Sequence, residues 1–524
     1  MPLKTANNPP YITHNSLFVI LFIVLALIPF GLFFLNPNQL LLEHHAFRQT
    51  QTAITAYWLI RGSPSIQYLT PILGYPWTIP FEFPLFQELT ALLCSATGMP
   101  LDLSGRALSL FFFFTTFVPI FACLRPYGRA PLLIALALYV TGPISLFFSR
   151  LFLIETFATS LALSSLCCYI LFLRRQNWAY LCALVILGSL AGLQKVTTFL
   201  PVAIVCGMDS VRTQIYPLLR GQWRNIQYKA PLAIISSMVL PLIWAAYSDE
   251  IKSHGALSVL LTSKALWSWN FGTLAQRLQP MQWFRLIVLR LVLVGGLLVP
   301  VLLMPLAVRR NQLMFNREAG LCLFAGLLGP IIFFNLHSVH DYYQVGSLAF
   351  LDCAVAISLA PFLTTTTSSP NGYAIPIAAA IIIANLSLFC VRYGPLLFHI
   401  PKEDATAYEV GRYLEQHQTL NDVSVILGQG YNSTIPYYSQ RYALMIPESP
   451  FVPAALRARI LRNPNAYIGA RRIGSIVFCS SPGLSSPPAA TEETEIFRQL
   501  DAGSMKTIDN CEIKIRDDRQ DPQR

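Results

Sequence analysis

SLFVILFIVLALIPFGLFFL, the twenty residues from Ser16 to Leu35, decides what kind of molecule this is. An uncharged run of that length, coiled as a helix, crosses the hydrocarbon core of a bilayer. Only Lys4 precedes it as a charge, and no small-residue cleavage signature follows, so the expectation is a retained first span. Similar runs occupy residues 104–124, 131–148, 152–173, 178–193, 197–208, 230–247, 286–308, 319–336, 345–363 and 374–390. Together they predict about eleven transmembrane helices. Of 524 residues 54% are hydrophobic and 12% charged, with mean hydropathy +0.51. A soluble domain carries about 25% charged residues, so the composition alone indicates an α-helical polytopic membrane protein.

The net charge of +11 is explained by topology and not by nucleic acid. With the N-terminus inside, the inside connections hold Arg125 and Arg129, then Arg174 and Arg175, then Arg212, Arg220, Arg224 and Lys229, then Arg309, Arg310 and Arg317. That is the positive-inside pattern. An odd number of spans leaves the C-terminal region outside. From residue 398 charges return, with a helical pattern over 403–416, a strand over 423–427, a helix over 453–462 and a strand over 475–479. Residues 1–397 therefore read as a membrane domain with a long first outer loop, 36–103, and residues 398–524 as a small soluble extracytoplasmic α/β domain. Most of the 11 cysteines lie in apolar runs; Cys479 and Cys511 do not, and outside the cytoplasm they can pair or stay as two thiols. There is no internal repeat, P-loop, dinucleotide fingerprint or zinc-type cysteine pair.

Polar residues gather on the outer side. The first outer loop carries Glu43-His44-His45-Ala46-Phe47-Arg48-Gln49-Thr50-Gln51-Thr52 and, later, Pro80-Phe81-Glu82-Phe83-Pro84-Leu85-Phe86-Gln87. Three short outer connections add Arg150 with Glu155, Gln194 with Lys195, and His337, His340 and Asp341 with Tyr342 and Tyr343. Ionisable groups beside membrane spans are costly and mark function. Phe47, Ile54, Tyr57 and Trp58 among polar neighbours predict an amphipathic helix lying in the membrane interface, and a second follows from Leu85 to about residue 97. Such a surface suits a reaction between an amphipathic donor and a polar acceptor. A carboxylate can take a proton from an acceptor hydroxyl, while Arg and Lys hold a lipid phosphate as it leaves.

These segments resemble the GT-C superfamily of glycosyltransferases, and more narrowly the group containing the dolichyl-phosphate-mannose-protein mannosyltransferases and the aminoarabinose transferases (family 39/83-like). The stretch from Glu43 to Ala53 is similar to a bacterial His-x-aromatic-Arg-Gln-x-Gln-Thr-Ala segment. Phe81-Glu82-Phe83-Pro84-Leu85-Phe86 resembles a Phe-Glu-x-Pro-Leu-aromatic motif, His340-Asp341-Tyr342-Tyr343 a later outer loop, and Pro436-Tyr437-Tyr438-Ser439-Gln440-Arg441 part of the soluble tail. The resemblance implies an inverting transfer of a sugar from a polyprenyl-phosphate donor to an extracytoplasmic acceptor, at a bacterial inner membrane. Glu43 is its candidate base, with His45 as the alternative. Arg48, Lys195 and Arg150 are the candidate phosphate ligands, and Gln49, Glu82, Tyr342 and Tyr343 candidate substrate contacts. A divalent metal, often used in the family, would be held by Glu82 with His337, His340 or Asp341.

The plainer readings are structural. Glu43 can pair with Arg48, Arg150 with Glu155, Lys195 can snorkel, and the tyrosines with Trp267 and Trp269 can form an aromatic belt. Two other functions compete. A transporter or flippase of lipid-linked saccharides predicts charges at mid-membrane and related halves. A non-catalytic assembly subunit predicts outer polar groups that tolerate substitution.

Overall fold

The computed structural model describes residues 12–221, 228–364, 373–480, 496–498, 500 and 503–516; Arg224 lies outside them. α1 (Ile12–Leu35) turns Val19, Ile20, Ile23 and Leu27 outward, as a lipid-facing helix does. The first outer loop forms α2 (Ala46–Ile60) and α3 (Leu85–Thr97), close to the two expected helices. The expected lipid contact of α2 is corrected. Gln49 to Ala56 and Trp58 are buried in protein, and Trp58 packs on Tyr442 with ring centroids 4.7 Å apart. Tyr57 and Trp58 face the C-terminal region instead of lipid, and Phe47 packs on His340.

α4 (Leu101–Thr115) and α5 (Phe117–Leu124) continue one another. The run 131–148 is split at Gly142 into α6 (Arg129–Thr141) and α7 (Pro143–Phe148), where Pro143 starts a new helix. α8 (Glu155–Arg175) leads into α9 (Ala179–Leu219), which bends at Lys195. The Phe199 ring lies against Gly188 and Gly192, so close that a Cβ on Gly188 would sit 2.6 Å from it. Eleven residues of straight helix would separate those positions by about 16 Å. The arm 196–219 therefore folds back along the arm 179–194, and the two runs read as separate spans are these two arms. α10 (Lys229–Ser253) follows, then short α11 (Trp267–Phe271), α12 (Leu274–Arg277) and α13 (Pro280–Trp283).

The run 286–308 is not one straight span. A π-helix, Phe284–Val294, meets α14 (Leu298–Arg309) at 94° across Gly295 and Gly296. The bundle closes with α15 (Arg317–Ile332), α16 (Phe334–Val339), α17 (Gln344–Ser358), α18 (Ala360–Thr364) and α19 (Ala374–Arg392). Among the described residues five helices are long and apolar enough to span a membrane, or six counting the bent pair as one. At the basic end Arg174 donates to Glu318 and Arg317 to Asp209, at 2.7 and 2.6 Å, tying helix ends together.

Near the C-terminus α20 (Lys402–His417), β1 (Val423–Leu427), α21 (Thr434–Ser439), β2 (Tyr442–Ile446), α22 (Ala454–Arg462), β3 (Ile473–Cys479), β4 (Gly503–Ile508) and β5 (Cys511–Arg516) form a small α/β unit. The sheet order is β2-β1-β3-β5-β4, parallel over the first three strands and antiparallel over the last two pairs. The first outer loop runs beside the β2 edge. Ala443 N–H donates to the Pro71 carbonyl at 2.9 Å, Met445 N–H to Ile72 at 3.0 Å, and Gly74 N–H to Ala443 at 3.1 Å. Leu41, Ile54, Ile72, Leu73 and Trp77 share one apolar core with the sheet. An edge that would otherwise invite aggregation is thereby covered, and the loop is pinned to the sheet.

Cys479 and Cys511 face each other across β3 and β5 and are disulfide-bonded. Closing a loop of 32 residues restricts the unfolded chain. Replacing both cysteines by Ser is expected to destabilise the unit by about 2–4 kcal/mol. Thermal unfolding in detergent checks this, and an unchanged melting temperature would show that the bridge carries no stability.

Candidate active site

α2 begins at an unusual place. Its N-cap, His45, has φ 64° and ψ 39°, a left-handed conformation that non-glycine residues seldom adopt. Strain of this kind persists only where the surroundings enforce it, and it clusters at functional sites. Here it lets two consecutive imidazoles turn the same way. His44 Nε2 lies 3.1 Å and His45 Nε2 2.7 Å from the carboxylate of Asp341, and the Tyr393 hydroxyl donates to the same carboxylate at 2.8 Å. Asp341 follows α16 and lies almost 300 residues away in the chain; α1 and α16 bring the two ends together.

Burial pushes the His45 imidazole below its ordinary value, although Asp341 pulls it upward. Burial works against the charge of Asp341, but the two imidazoles overcome it and hold the carboxyl well below its usual range. The cluster thus presents an ionised carboxylate and a neutral His45 at neutral pH. His340 stands beside it, its ring centroid 5.5 Å from that of His45, and burial lowers its imidazole to about 3.

On the other side of His340 and Tyr342 opens a cavity of about 680 Å³. Its polar lining residues include Arg48, Glu82, Gln194, Lys195 and Lys252, and its apolar ones Ile154, Leu193, Pro241, Trp244 and Leu336. Tyr431, Pro450 and Phe451 reach it from the C-terminal unit. Arg48 donates to Glu82 at 2.9 Å, and Gln87 Nε2 donates to the second oxygen of Glu82 at 2.8 Å. Burial opposes the Arg48 charge, and Glu82 more than restores it, raising that guanidinium above its ordinary value. Lys195 is paired with Glu155 and lies 3.9 Å from the Tyr343 ring centroid. Lys252, at the end of α10, is paired with Asp249 at 3.2 Å.

Several expectations are corrected by these positions. Glu43 is fully buried and ion-paired with Arg106 at 2.5 Å, not with Arg48. Neither it nor His45 lines the cavity, but His45 packs on His340 and Tyr342, which do. Arg150 is also buried and donates to Gln39 Oε1 at 2.8 Å, leaving Glu155 to Lys195; it is a brace and not a phosphate ligand. Gln49 is fully buried, and its Oε1 accepts the Phe152 N–H at 3.1 Å, so it ties α2 to the bundle instead of touching substrate. His337 is bonded to Gln344 at 3.1 Å and is likewise structural. The supposed metal set of Glu82, His337, His340 and Asp341 does not converge. Among the described residues the histidine and acid side chains that do converge on one point are His44, His45 and Asp341, with ligand atoms within 4.8 Å of one another. Arg48, Lys195, Glu82, Tyr342 and Tyr343 all line the cavity. Lys252 was missed because it follows the apparent end of a span, where a lysine reads as an anchor.

No family model matches the sequence, and no curated protein matches it. Solved structures do share its fold. ArnT from Cupriavidus metallidurans, in a crystal structure with undecaprenyl phosphate, aligns with a TM-score of 0.61 at 12% identity, over 96% of this chain and 98% of that one. The oligosaccharyltransferase AglB from Archaeoglobus fulgidus, in complex with an inhibitory peptide and a dolichol-phosphate, aligns with a TM-score of 0.53 at 11% identity, over 98% and 75%. The arabinofuranosyltransferase AftD from Mycobacteria aligns with a TM-score of 0.50 at 13% identity, over 96% and 40%. At such identities the likeness is one of fold.

Proposed function

We propose that this chain, which shares the fold of ArnT, AglB and AftD, is a GT-C-type membrane glycosyltransferase that moves a sugar, with inversion, from a polyprenyl-phosphate donor to an extracytoplasmic acceptor. The observation that carries the reading is the cavity. Its lining combines Arg48, Lys195 and Lys252 with an apolar surface, which matches a donor with an anionic head and a prenyl tail. The neighbours' ligands, undecaprenyl phosphate in ArnT and dolichol-phosphate in AglB, are of that class. The disulfide between Cys479 and Cys511 supports an oxidising, extracytoplasmic side for the C-terminal unit and the cavity it covers, at a bacterial inner membrane.

Arg48 and Lys195 contact the phosphate, each held in place by its carboxylate. Glu82 orients Arg48, and Tyr342 and Tyr343 form the wall against the sugar. The proton of the acceptor hydroxyl passes to His45, which Asp341 orients. A carboxylate is displaced from that role because Glu43 is sealed against Arg106. His44, His45 and Asp341 also fit a divalent metal: two imidazole nitrogens and a carboxylate oxygen converge, the donor set of an open three-ligand site. Bound there, a metal would supply Lewis-acid stabilisation of charge on a phosphate oxygen.

Turnover of a panel of polyprenyl-phosphate sugars by the purified protein in lipid tests the reading. Arg48→Ala is expected to raise the donor KM by at least about tenfold, since it removes a charge-assisted contact. If no donor is consumed while a lipid-linked saccharide crosses the bilayer, the transporter reading replaces this one.

A further inference from the structure

We infer that the bend of α9 at Lys195 is the phosphate-holding element of the cavity, with the anion seated on the first turn of the arm 196–219 and on the Gln194 side-chain amide. The inference rests on the polyprenyl-phosphate reading and specifies where that head group sits.

The cations of the cavity lining bring their own counter-charges to the phosphate. Arg48 faces Glu82, Lys195 faces Glu155 and Lys252 faces Asp249, so each charge is already matched by a carboxylate. The helix start adds donors of another kind. Lys195 has extended backbone, φ −160° and ψ 94°, the conformation of an N-cap, and helix resumes immediately after it. The N–H groups of the first turn, Val196 to Thr198, then lack partners within their own helix and carry its positive end. The bend opens on the cavity, which Gly192 to Thr197 line without interruption.

A second, independent feature points the same way. Gln194 is fully buried. Its Oε1 accepts the Phe86 N–H at 3.2 Å, which fixes the amide so that Nε2 is the free end. Gln194 belongs to the cavity lining, and its buried Nε2 has no partner among the described residues. A buried donor left unpaired is costly, and such donors are kept where a ligand completes them. Thr197 belongs to the same lining, and its buried hydroxyl likewise has no partner among the described residues. At the end of the preceding arm, Leu193 C=O accepts the Phe83 N–H at 3.0 Å. Backbone donors, an amide and a helix start converging on one spot are chemistry for a phosphate. Leu193, Pro241 and Trp244 beside them supply the apolar track for a prenyl chain, which favours a lipid phosphate over a free one.

The test measures affinity of the full-length protein in detergent for undecaprenyl phosphate, for undecaprenol and for inorganic phosphate. Two variants are compared with wild type. Gln194→Glu keeps the acceptor for Phe86 and replaces the donor; Gln194→Met removes the donor without adding charge. Both are expected to bind undecaprenyl phosphate about tenfold more weakly, while undecaprenol binding, which reports the fold and the apolar track, changes by less than about twofold. If wild type prefers the phosphate and both variants keep that preference, this inference falls and the enzyme reading stands. Weakening by the Glu variant alone shows simple repulsion and overturns it as well. Inorganic phosphate binding as tightly as the lipid would assign the site to a free anion, against the inference. No preference of wild type for the phosphate over the alcohol removes the polyprenyl-phosphate reading itself.

Discussion

His45→Ala is expected to lower sugar transfer by at least roughly 100-fold at saturating donor, the scale of a lost general base, with donor affinity nearly unchanged. The basis is geometric. Asp341 accepts from His44, His45 and Tyr393, a saturated arrangement that leaves the Nδ1 side of each imidazole free to take a proton. Asp341→Asn should lose nearly as much, because it unfastens all three donors at once. The pH profile separates this role from simple packing. The ordinary imidazole value is 6.5, and burial lowers that of His45, so the neutral, proton-accepting form already dominates above 6.5 and persists some way below it. Wild-type transfer should therefore be level from about pH 6.5 upward and fall only in more acid solution. Asp341 pulls the His45 value upward, so Asp341→Asn should move the acid limb to still lower pH while lowering the plateau. An acid limb beginning well above 6.5 would sink the assignment. Loss of transfer on chelation, restored by one divalent ion, would instead give the three residues to a metal.

The parts of this architecture that were legible in the sequence are those written locally. Apolar runs interrupted by Gln194-Lys195 or by a basic pair gave the helices, and the interruption at 194–195 marks a real reversal of the chain. The strand β1 and helices α20 and α22 were equally local. The hairpin of β4 and β5 had a usable signal that went unread. Asp509-Asn510 separates two alternating stretches, and Asp509 adopts the positive φ of 48° that such a turn demands. The break at Gly295-Gly296 is different, since two glycines in an apolar run do not say whether a helix bends or merely packs closely.

The site was half legible for a physical reason. Polar residues clustered between apolar runs pointed to Arg48, Glu82, Lys195 and the His340–Tyr343 loop, because burying charge beside a membrane is costly wherever it happens. Which carboxylate meets which cation is a long-range matter. Arg48 reaches Glu82 across 34 residues, and the imidazoles reach Asp341 across 296 and 297. Sequence spacing has no purchase on such pairs. Arg106 shows the point most sharply: it sits two residues into a run read as a span, where a cation is easily dismissed, yet it is the partner that decides what Glu43 is.

That pair yields the other large effect. Glu43 and Arg106 are 0% and 1% exposed and 2.5 Å apart. Arg106 also donates to the Gln39 and Leu40 carbonyls at 3.2 Å, holding the chain just before His44 and His45. Breaking a buried pair by removing one partner strands the other charge, at a cost of about 3–5 kcal/mol, whereas removing both leaves no stranded charge. Glu43→Gln and Arg106→Met are each expected to destabilise strongly, and the double variant to be more stable than the sum of the two losses by at least about 2 kcal/mol. Equilibrium or thermal unfolding of the four proteins in one detergent gives the coupling. The activity of the folded fraction then separates the two roles of Glu43. A positioning residue leaves transfer per folded molecule reduced only modestly and lets the double variant recover much of it. A catalytic base cannot be recovered by changing its partner. If Glu43→Gln is folded and stable yet inactive, and Arg106→Met restores nothing, Glu43 is the base after all and the buried pair must open during turnover.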